Sequence, residues 1–194
     1  MVIPREPPEI SGGLRRDYTP APFKMTKAYL LGALHDATER KNTYRIAQKS
    51  KTYIKFLAKG IKSLGKSAWI YQEGRSRKLF IVEFSKSLLK DTKIENWQDK
   101  IDYVRGYFDA EGGVSRSAKV NYYLYFAQKN LDDLKEVKIY LKELGIYCGQ
   151  LHNPSKKVDP HYWRFFVRAR SYNDFAKTIG SWHPVKSHFL RLKI

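Results

Sequence analysis

The chain repeats itself, and the repeat constrains its architecture more than any single motif. Ala47-Gln48-Lys49-Ser50 recurs as Ala127-Gln128-Lys129-Asn130, and Leu64-Gly65 recurs as Leu144-Gly145, both at an offset of 80 residues. Two matches in one register mean that two stretches of chain build the same supersecondary unit. Between them the spacing predicts helices over 51–63 and 132–143, with apolar stripes Ile54, Leu57, Ile61 and Leu134, Val137, Leu141, each stopped by a glycine. Ahead of each helix the chain alternates with period two, so Tyr44 and Ile46, like Leu124 and Phe126, belong to a core. Thr43 and Arg45, like Tyr123 and Tyr125, belong to an open face. Further strand pairs follow, Ala68–Tyr71 with Lys78–Phe84 and Ile146–Leu151 with Tyr162–Arg168, turning at Gly74 and Pro154. Each half thus reads as helix, two strands, helix, two strands, helix: an α+β fold of tandem αββαββα units with antiparallel sheets.

Charge says what such a pair of units would meet. The 194 residues contain 37 Lys+Arg against 19 Asp+Glu, a net charge of +18. Residues 25–96 hold sixteen basic and six acidic side chains, residues 97–194 seventeen and ten, so both halves are basic. A surplus shared by two folded units points to an extended polyanion, nucleic acid above all, and away from small cationic substrates. Residues 1–24 carry five of the eight prolines and read as an extended arm. Cys148 is the lone cysteine, which excludes an internal disulfide or a cysteine zinc site. No apolar run reaches the roughly 18 residues of a membrane span, so the expected location is intracellular, cytoplasmic or nucleoid-associated.

A third pair of segments opens the halves. Leu31-Gly32-Ala33-Leu34-His35-Asp36-Ala37-Thr38-Glu39 and Val104-Arg105-Gly106-Tyr107-Phe108-Asp109-Ala110-Glu111-Gly112 align on their shared Asp-Ala at an offset of 73. Small residues then fall on one face of each helix, Ala33 and Ala37 in the first, Gly106 and Ala110 in the second, letting two backbones approach closely. With the two strand glutamines and the C-terminal Trp182-His183-Pro184-Val185-Lys186, these segments resemble the LAGLIDADG homing endonucleases in their single-chain, two-repeat form. The resemblance implies a pseudo-two-fold saddle of strands over the DNA major groove and Mg²⁺-dependent hydrolysis of both strands beneath two central helices.

Hydrolysing a phosphodiester requires its charge to be neutralised and a water activated, which carboxylate-held hard cations accomplish. The resemblance assigns the metal-binding acid to Glu111 in the second half and places Thr38 at the matching first-half position. A shift by one residue puts Ala37 there, and neither register supplies an acid. Asp36 or Glu39 then substitutes and both strands are cut, or one site nicks, or binding survives alone. The resemblance also marks Gln48 and Gln128 as residues that order active-site water, and Lys186 as a basic residue near the scissile phosphate, with Lys90 or Lys93 as its first-half counterpart. His35 and His183 lack metal-ligand spacing and read as structural.

DNA contacts are expected from Arg40, Lys41, Arg45, Lys49, Arg75, Arg77, Lys78, Arg116, Lys119, Lys156 and Arg164, with arginine able to read guanine and lysine mainly holding phosphates. The expected protein is a monomer on double-stranded DNA. The alternative is a non-catalytic binder on the same scaffold, a transcriptional regulator or an intron RNA maturase.

Overall fold

A computed structural model describes residues 24–74, 78–116 and 120–193. Two helices meet at the centre. The first, α1 (Lys27–Ala33), starts at Thr26, whose hydroxyl accepts from the Tyr29 amide, and runs on into a 3₁₀ turn at Leu34–Asp36. Strands β1 (Ala37–Glu39) and β2 (Thr43–Gln48) follow, then α2 (Lys51–Ser63), β3 (Ala68–Glu73) and β4 (Leu79–Ser85). Helix α3 (Trp97–Glu111) opens the second half behind an Asn96/Asp99 capping box. It leads into β5 (Gly112–Val114), β6 (Leu124–Gln128), α4 (Leu131–Glu143), β7 (Trp163–Phe166), α5 (Tyr172–Thr178) and α6 (Pro184–Lys193).

The equivalence of the halves is local as well as global. Ser50 and Asn130 cap α2 and α4 with their side chains, and both helices stop where Gly65 (φ 83°) and Gly145 (φ 76°) take the left-handed conformation. All six residues of the two apolar stripes are fully buried. The first sheet has the order β1-β2-β4-β3 and the second β5-β6-β7, every pairing antiparallel. Two hydrophobic clusters divide the core along the repeat, one gathering Tyr29, Ile46, Leu57 and Phe84, the other Tyr107, Phe126, Leu141 and Phe165.

Three expectations change. The second sheet lacks a full fourth strand: over 146–152 only the isolated bridges Cys148–Val167 and His152–Arg164 form. Gly149 bonds Phe166 and His152 bonds Arg164, so the segment carries one more residue than β7 between these contacts and the regular ladder is interrupted. The first half ends in a 3₁₀ turn at Lys86–Leu88 rather than a helix, and Asp91, with φ 61°, breaks any continuation. Finally, Ala37 is a strand residue and not part of the helix–helix contact. That contact is made by Gly32 and Gly106. A Cβ on Gly32 would lie 2.0 Å from the Tyr103 carbonyl oxygen, and one on Gly106 2.0 Å from that of Tyr29. The helices therefore superpose at an offset of 74, between Gly32 and Gly106.

Candidate active site

At the ends of α1 and α3 the offset drifts once more. Ala37 pairs with Ile46 in the first sheet and Gly112 with Phe126 in the second, and Ile46 and Phe126 are themselves counterparts at an offset of 80. Ala37 thus matches Gly112, and the residues immediately before them, Asp36 and Glu111, occupy the equivalent helix ends. From Gly32 to Asp36 there are four steps, from Gly106 to Glu111 five. The 3₁₀ turn reconciles them, since one α step of ~1.5 Å and three 3₁₀ steps of ~2.0 Å advance as far as five α steps, about 7.5 Å.

This placement corrects the register that put Thr38 at the acid position. Thr38 is exposed in β1, opposite Arg45. Glu39 is also exposed and forms an ion pair with Lys86, whereas the charge of Asp36 acts on Glu111.

The two carboxyls share one environment. Gln48 Nε2 donates to Asp36 Oδ2, and Gln128 lies close enough to Glu111 to pull its pKa down, so each strand glutamine neighbours the acid of its own half. Gln128 Nε2 also approaches the His35 carbonyl at 3.5 Å, tying the second half's strand to the first half's helix end. Burial, reinforced by the Asp36 charge, pushes the Glu111 carboxyl up to about 7. Asp36 remains solvent-accessible, yet crowding around its carboxyl raises its pKa as well.

Lys186 is buried at the end of α3, where Nζ donates to the carbonyls of Phe108 (2.7 Å) and Asp109 (2.8 Å), satisfying two helix-end acceptors. Burial lowers its pKa to about 8, against the opposing pull of Asp109, Asp36 and Glu111. Its charge in turn lowers the pKa of both acids. Lys90 and Lys93 are exposed and have no comparable place.

The sequence did not reveal how the C-terminal segment is tied down. Asp109, fully buried, accepts from Tyr29 Oη (2.6 Å), from Ser181 Oγ and from the Trp182 amide (2.9 Å). This one carboxylate joins α1, α3 and the segment that carries Lys186. Its counterpart at offset 74 is His35, whose Nε2 lies 2.8 Å from Tyr103 Oη just as Asp109 meets Tyr29, while Nδ1 lies 3.3 Å from Asp133. The signal for this was the Tyr29/Tyr103 match in the Gly32/Gly106 register. His183 is buried against the Tyr53 ring at 4.6 Å, and burial drops its pKa to about 4.

Among the predicted DNA contacts, Arg40, Lys41, Lys49, Lys78, Arg116 and Lys156 are exposed on turns and strand ends. Arg45 is bonded to Glu73 (2.6 Å) and to Tyr71 Oη (3.1 Å) on the open face of the first sheet, and Arg164 stacks on rings of the second. Arg75, Arg77 and Lys119, like arm residues 1–23, lie outside the described residues. No helix among the described residues is long and apolar enough to cross a membrane. No group of three or more His, Cys, Asp or Glu side chains that could hold a metal occurs among them. Any cation here would rest on two carboxylates completed by other oxygens, which suits a hard divalent ion that keeps waters.

Residues 99–180 match the LAGLIDADG-like domain family. No curated protein sequence matches the chain. Among solved structures, it is similar to the homing endonuclease I-DmoI in complex with DNA and Ca, with 22% identity over 86% of this chain and 96% of that one, at a TM-score of 0.62. The I-DmoI complex with DNA and Mn gives 23% identity, 79% and 95% coverage and a TM-score of 0.60. The N-terminal LAGLIDADG domain of DUF199/WhiA gives 14% identity, 88% and 94% coverage and a TM-score of 0.62. Residues 99–180 thus match the LAGLIDADG-like domain family, and the described chain has the same fold as these LAGLIDADG structures.

Proposed function

We propose that this protein is a divalent-metal-dependent endonuclease that binds a specific site in double-stranded DNA across its two sheets and hydrolyses phosphodiesters at the junction of α1 and α3. The observation that carries the reading is the matched pair Asp36/Gln48 and Glu111/Gln128, one acid and one glutamine from each repeat, at the ends of two helices in direct contact. Carboxylates converging in so basic a protein repel one another and attract cations. A bound Mg²⁺ would neutralise phosphate charge and lower the pKa of a coordinated water. Asp36 and Glu111 would hold it, Gln48 and Gln128 would fix the carboxylate rotamers, and Lys186 would set the local potential and keep the end of α3 in place.

Incubating supercoiled plasmid carrying a target site with protein and Mg²⁺ should yield linear DNA, and Glu111→Gln should reduce cleavage more than about a hundredfold, since loss even of a metal ligand's supporting partner costs 10- to 100-fold. Undiminished cutting by Glu111→Gln would refute the assignment. The reading as a non-catalytic binder keeps the likeness to the WhiA domain in its favour, and tightly bound but uncut plasmid would establish it.

Metal binding should depend on pH in a defined direction. A carboxyl raised from 4.5 to about 7 is neutral in the folded, metal-free protein below that pH. It favours folding when protonated, and this contribution fades as pH rises through about 7. A cation needs the ionised form, so Mg²⁺ affinity should climb between about pH 6 and 8, with protons released on binding below 7. Calorimetry at pH 6.5 in buffers of different ionisation enthalpy reads that release. A binding enthalpy independent of buffer would show Glu111 already ionised.

A further inference from the structure

Helix α2 turns two unlike faces to its surroundings. Ile54, Leu57 and Ile61 pack with Ile46, Val82 and Phe84 on the inner side of the first sheet, so α2 lies behind the sheet whose open face carries Arg45 and Tyr71. Its exposed residues are Lys51, Thr52, Lys55, Lys59, Lys62 and Ser63, and Lys66 continues the row just past the helix end. Spacings of four, four and three residues put the helical lysines on one side, turned away from the core. Among the described residues no carboxylate forms an ion pair with any lysine of this row. Like charges one turn apart weaken a helix, so the fold gains nothing from them. The counterpart helix shows that the fold does not require them either. At an offset of 80, Lys51 becomes Leu131 and Lys59 becomes Ile139, while Thr52 and Ser63 become Asp132 and Glu143. Lys135 and Lys142 stand against Asp132, Glu136 and Glu143 on the exposed face of α4, which is mixed in charge where that of α2 is purely basic.

We propose that the outer face of α2 is a second docking surface for double-stranded DNA, which it holds by phosphates without reading sequence, on the side opposite to the open sheet faces where a target site would lie. The occupant follows from charge complementarity and from what the face lacks. Lys51 to Lys62 spans about 16 Å of helix axis, over which one DNA strand presents roughly five phosphates. Lysine ammonium groups hold such phosphates as point charges. An anionic lipid surface would call for apolar side chains beside the basic ones, and those of α2 are buried in the core. Unpaired RNA would call for rings to stack on, and no aromatic residue is among the exposed residues of α2. A regular duplex needs neither. The duplex on the open faces does not reach these lysines, because the sheet and the ~10 Å thickness of α2 stand between. Duplex stiffness, which persists over about 150 base pairs, keeps a short site from folding back around the protein. The segment held by α2 is therefore a second one, and a single chain joins two stretches of duplex.

The test is a bridging assay with the full chain and two duplexes of unrelated random sequence, each about two helical turns (~20 base pairs) long. One is biotinylated and held on beads, the other is fluorescent, and EDTA in the buffer keeps cleavage out. Wild-type protein should retain the fluorescent duplex on the beads. The triple variant Lys55→Gln/Lys59→Gln/Lys62→Gln keeps good helix formers on α2 and should lose retention by more than about tenfold, since three phosphate contacts disappear. Its affinity for a single limiting duplex, read by anisotropy, should change less than about threefold, because the open faces are untouched. Lys59→Gln alone should flatten the slope of log retention against log salt by about 0.9. Single-duplex binding without bridging by the wild type would overturn the proposal. So would bridging undiminished in the triple variant, which would show that two copies of the protein rather than two faces of one join the duplexes. Capture of an RNA hairpin or of phosphatidylserine vesicles in preference to the second DNA duplex would overturn it in favour of that partner. None of these results bears on whether plasmid is cut.

Discussion

Asp36→Asn is expected to abolish linearisation of a target plasmid, while Thr38→Ala cuts as the wild type does. Both substitutions are small and they lie two residues apart, so general disruption would not separate them. What separates them is placement. Asp36 immediately precedes Ala37, whose ladder partner Ile46 corresponds to the partner of Gly112, and it accepts from Gln48, the counterpart of the Gln128 that lies beside Glu111. Thr38 sits on the exposed strand opposite Arg45. Asparagine keeps the shape and the hydrogen bond to Gln48 but removes the charge, and a neutral amide is a far weaker ligand for a hard cation. The rate of linear product should fall more than about a hundredfold, as for the second-half acid. Accumulation of open circles by Asp36→Asn would mean that each acid serves its own strand, and uncut plasmid that the two serve a shared centre. Wild-type linearisation by Asp36→Asn, or loss of it in Thr38→Ala, would return the acid position to Thr38's register and sink the pairing of Asp36 with Glu111.

The contrast between these two residues also shows how far the sequence could be read. Helices α2 and α4, with their stripes and glycine stops, were legible because each feature is local and the repeat states it twice. The alternation of β2 and β6 likewise assigned Ile46 and Phe126 to the core and Arg45 and Tyr125 to the open face. The acid position was not legible because it depends on helix rise, which a linear alignment takes as constant. Gly32–Gly106 contact fixes one offset, the 3₁₀ turn at Leu34–Asp36 changes it by one, and the longer second-half hairpin changes it again. An alignment anchored on the shared Asp-Ala pair therefore falls out of register in the space of one turn. Asp109 illustrates a different limit. Its partners Tyr29, Ser181 and Trp182 come from distant parts of the chain, and nothing in their spacing announces that one buried carboxylate collects them. The ring cluster at Tyr123, Tyr125 and Phe166 was half visible, since alternation exposed the tyrosines but only strand pairing brought Phe166, His152 and Arg164 beside them.

Gly106→Ala should destabilise the protein more than any surface substitution, by about 3 kcal/mol or more, which for a chain of this size lowers the melting temperature by roughly 6–12 °C. The added methyl would stand 2.0 Å from the Tyr29 carbonyl oxygen and 3.0 Å from the Ala33 amide nitrogen. These are backbone atoms of α1, so no side-chain rotation relieves the overlap and the helices must move apart. Gly32→Ala meets the backbone of α3 in the mirror arrangement, 2.0 Å from Tyr103 oxygen and 2.6 Å from Tyr107 nitrogen, and should act alike. The fitting control is Gly65→Ala, where the backbone is left-handed but nothing lies within 4 Å. It should cost only about 1 kcal/mol through conformational strain. Thermal melts of the three variants decide the matter, and a Gly106→Ala protein melting with the Gly65→Ala control would show that the helices do not meet at these glycines. Separation of α1 from α3 also separates Asp36 from Glu111, because each acid is the terminal residue of the helix or turn that the glycines pack. Cleavage by any Gly106→Ala protein that remains folded at the assay temperature should therefore fall along with its stability, whereas Gly65→Ala, comparably folded there, should cut normally.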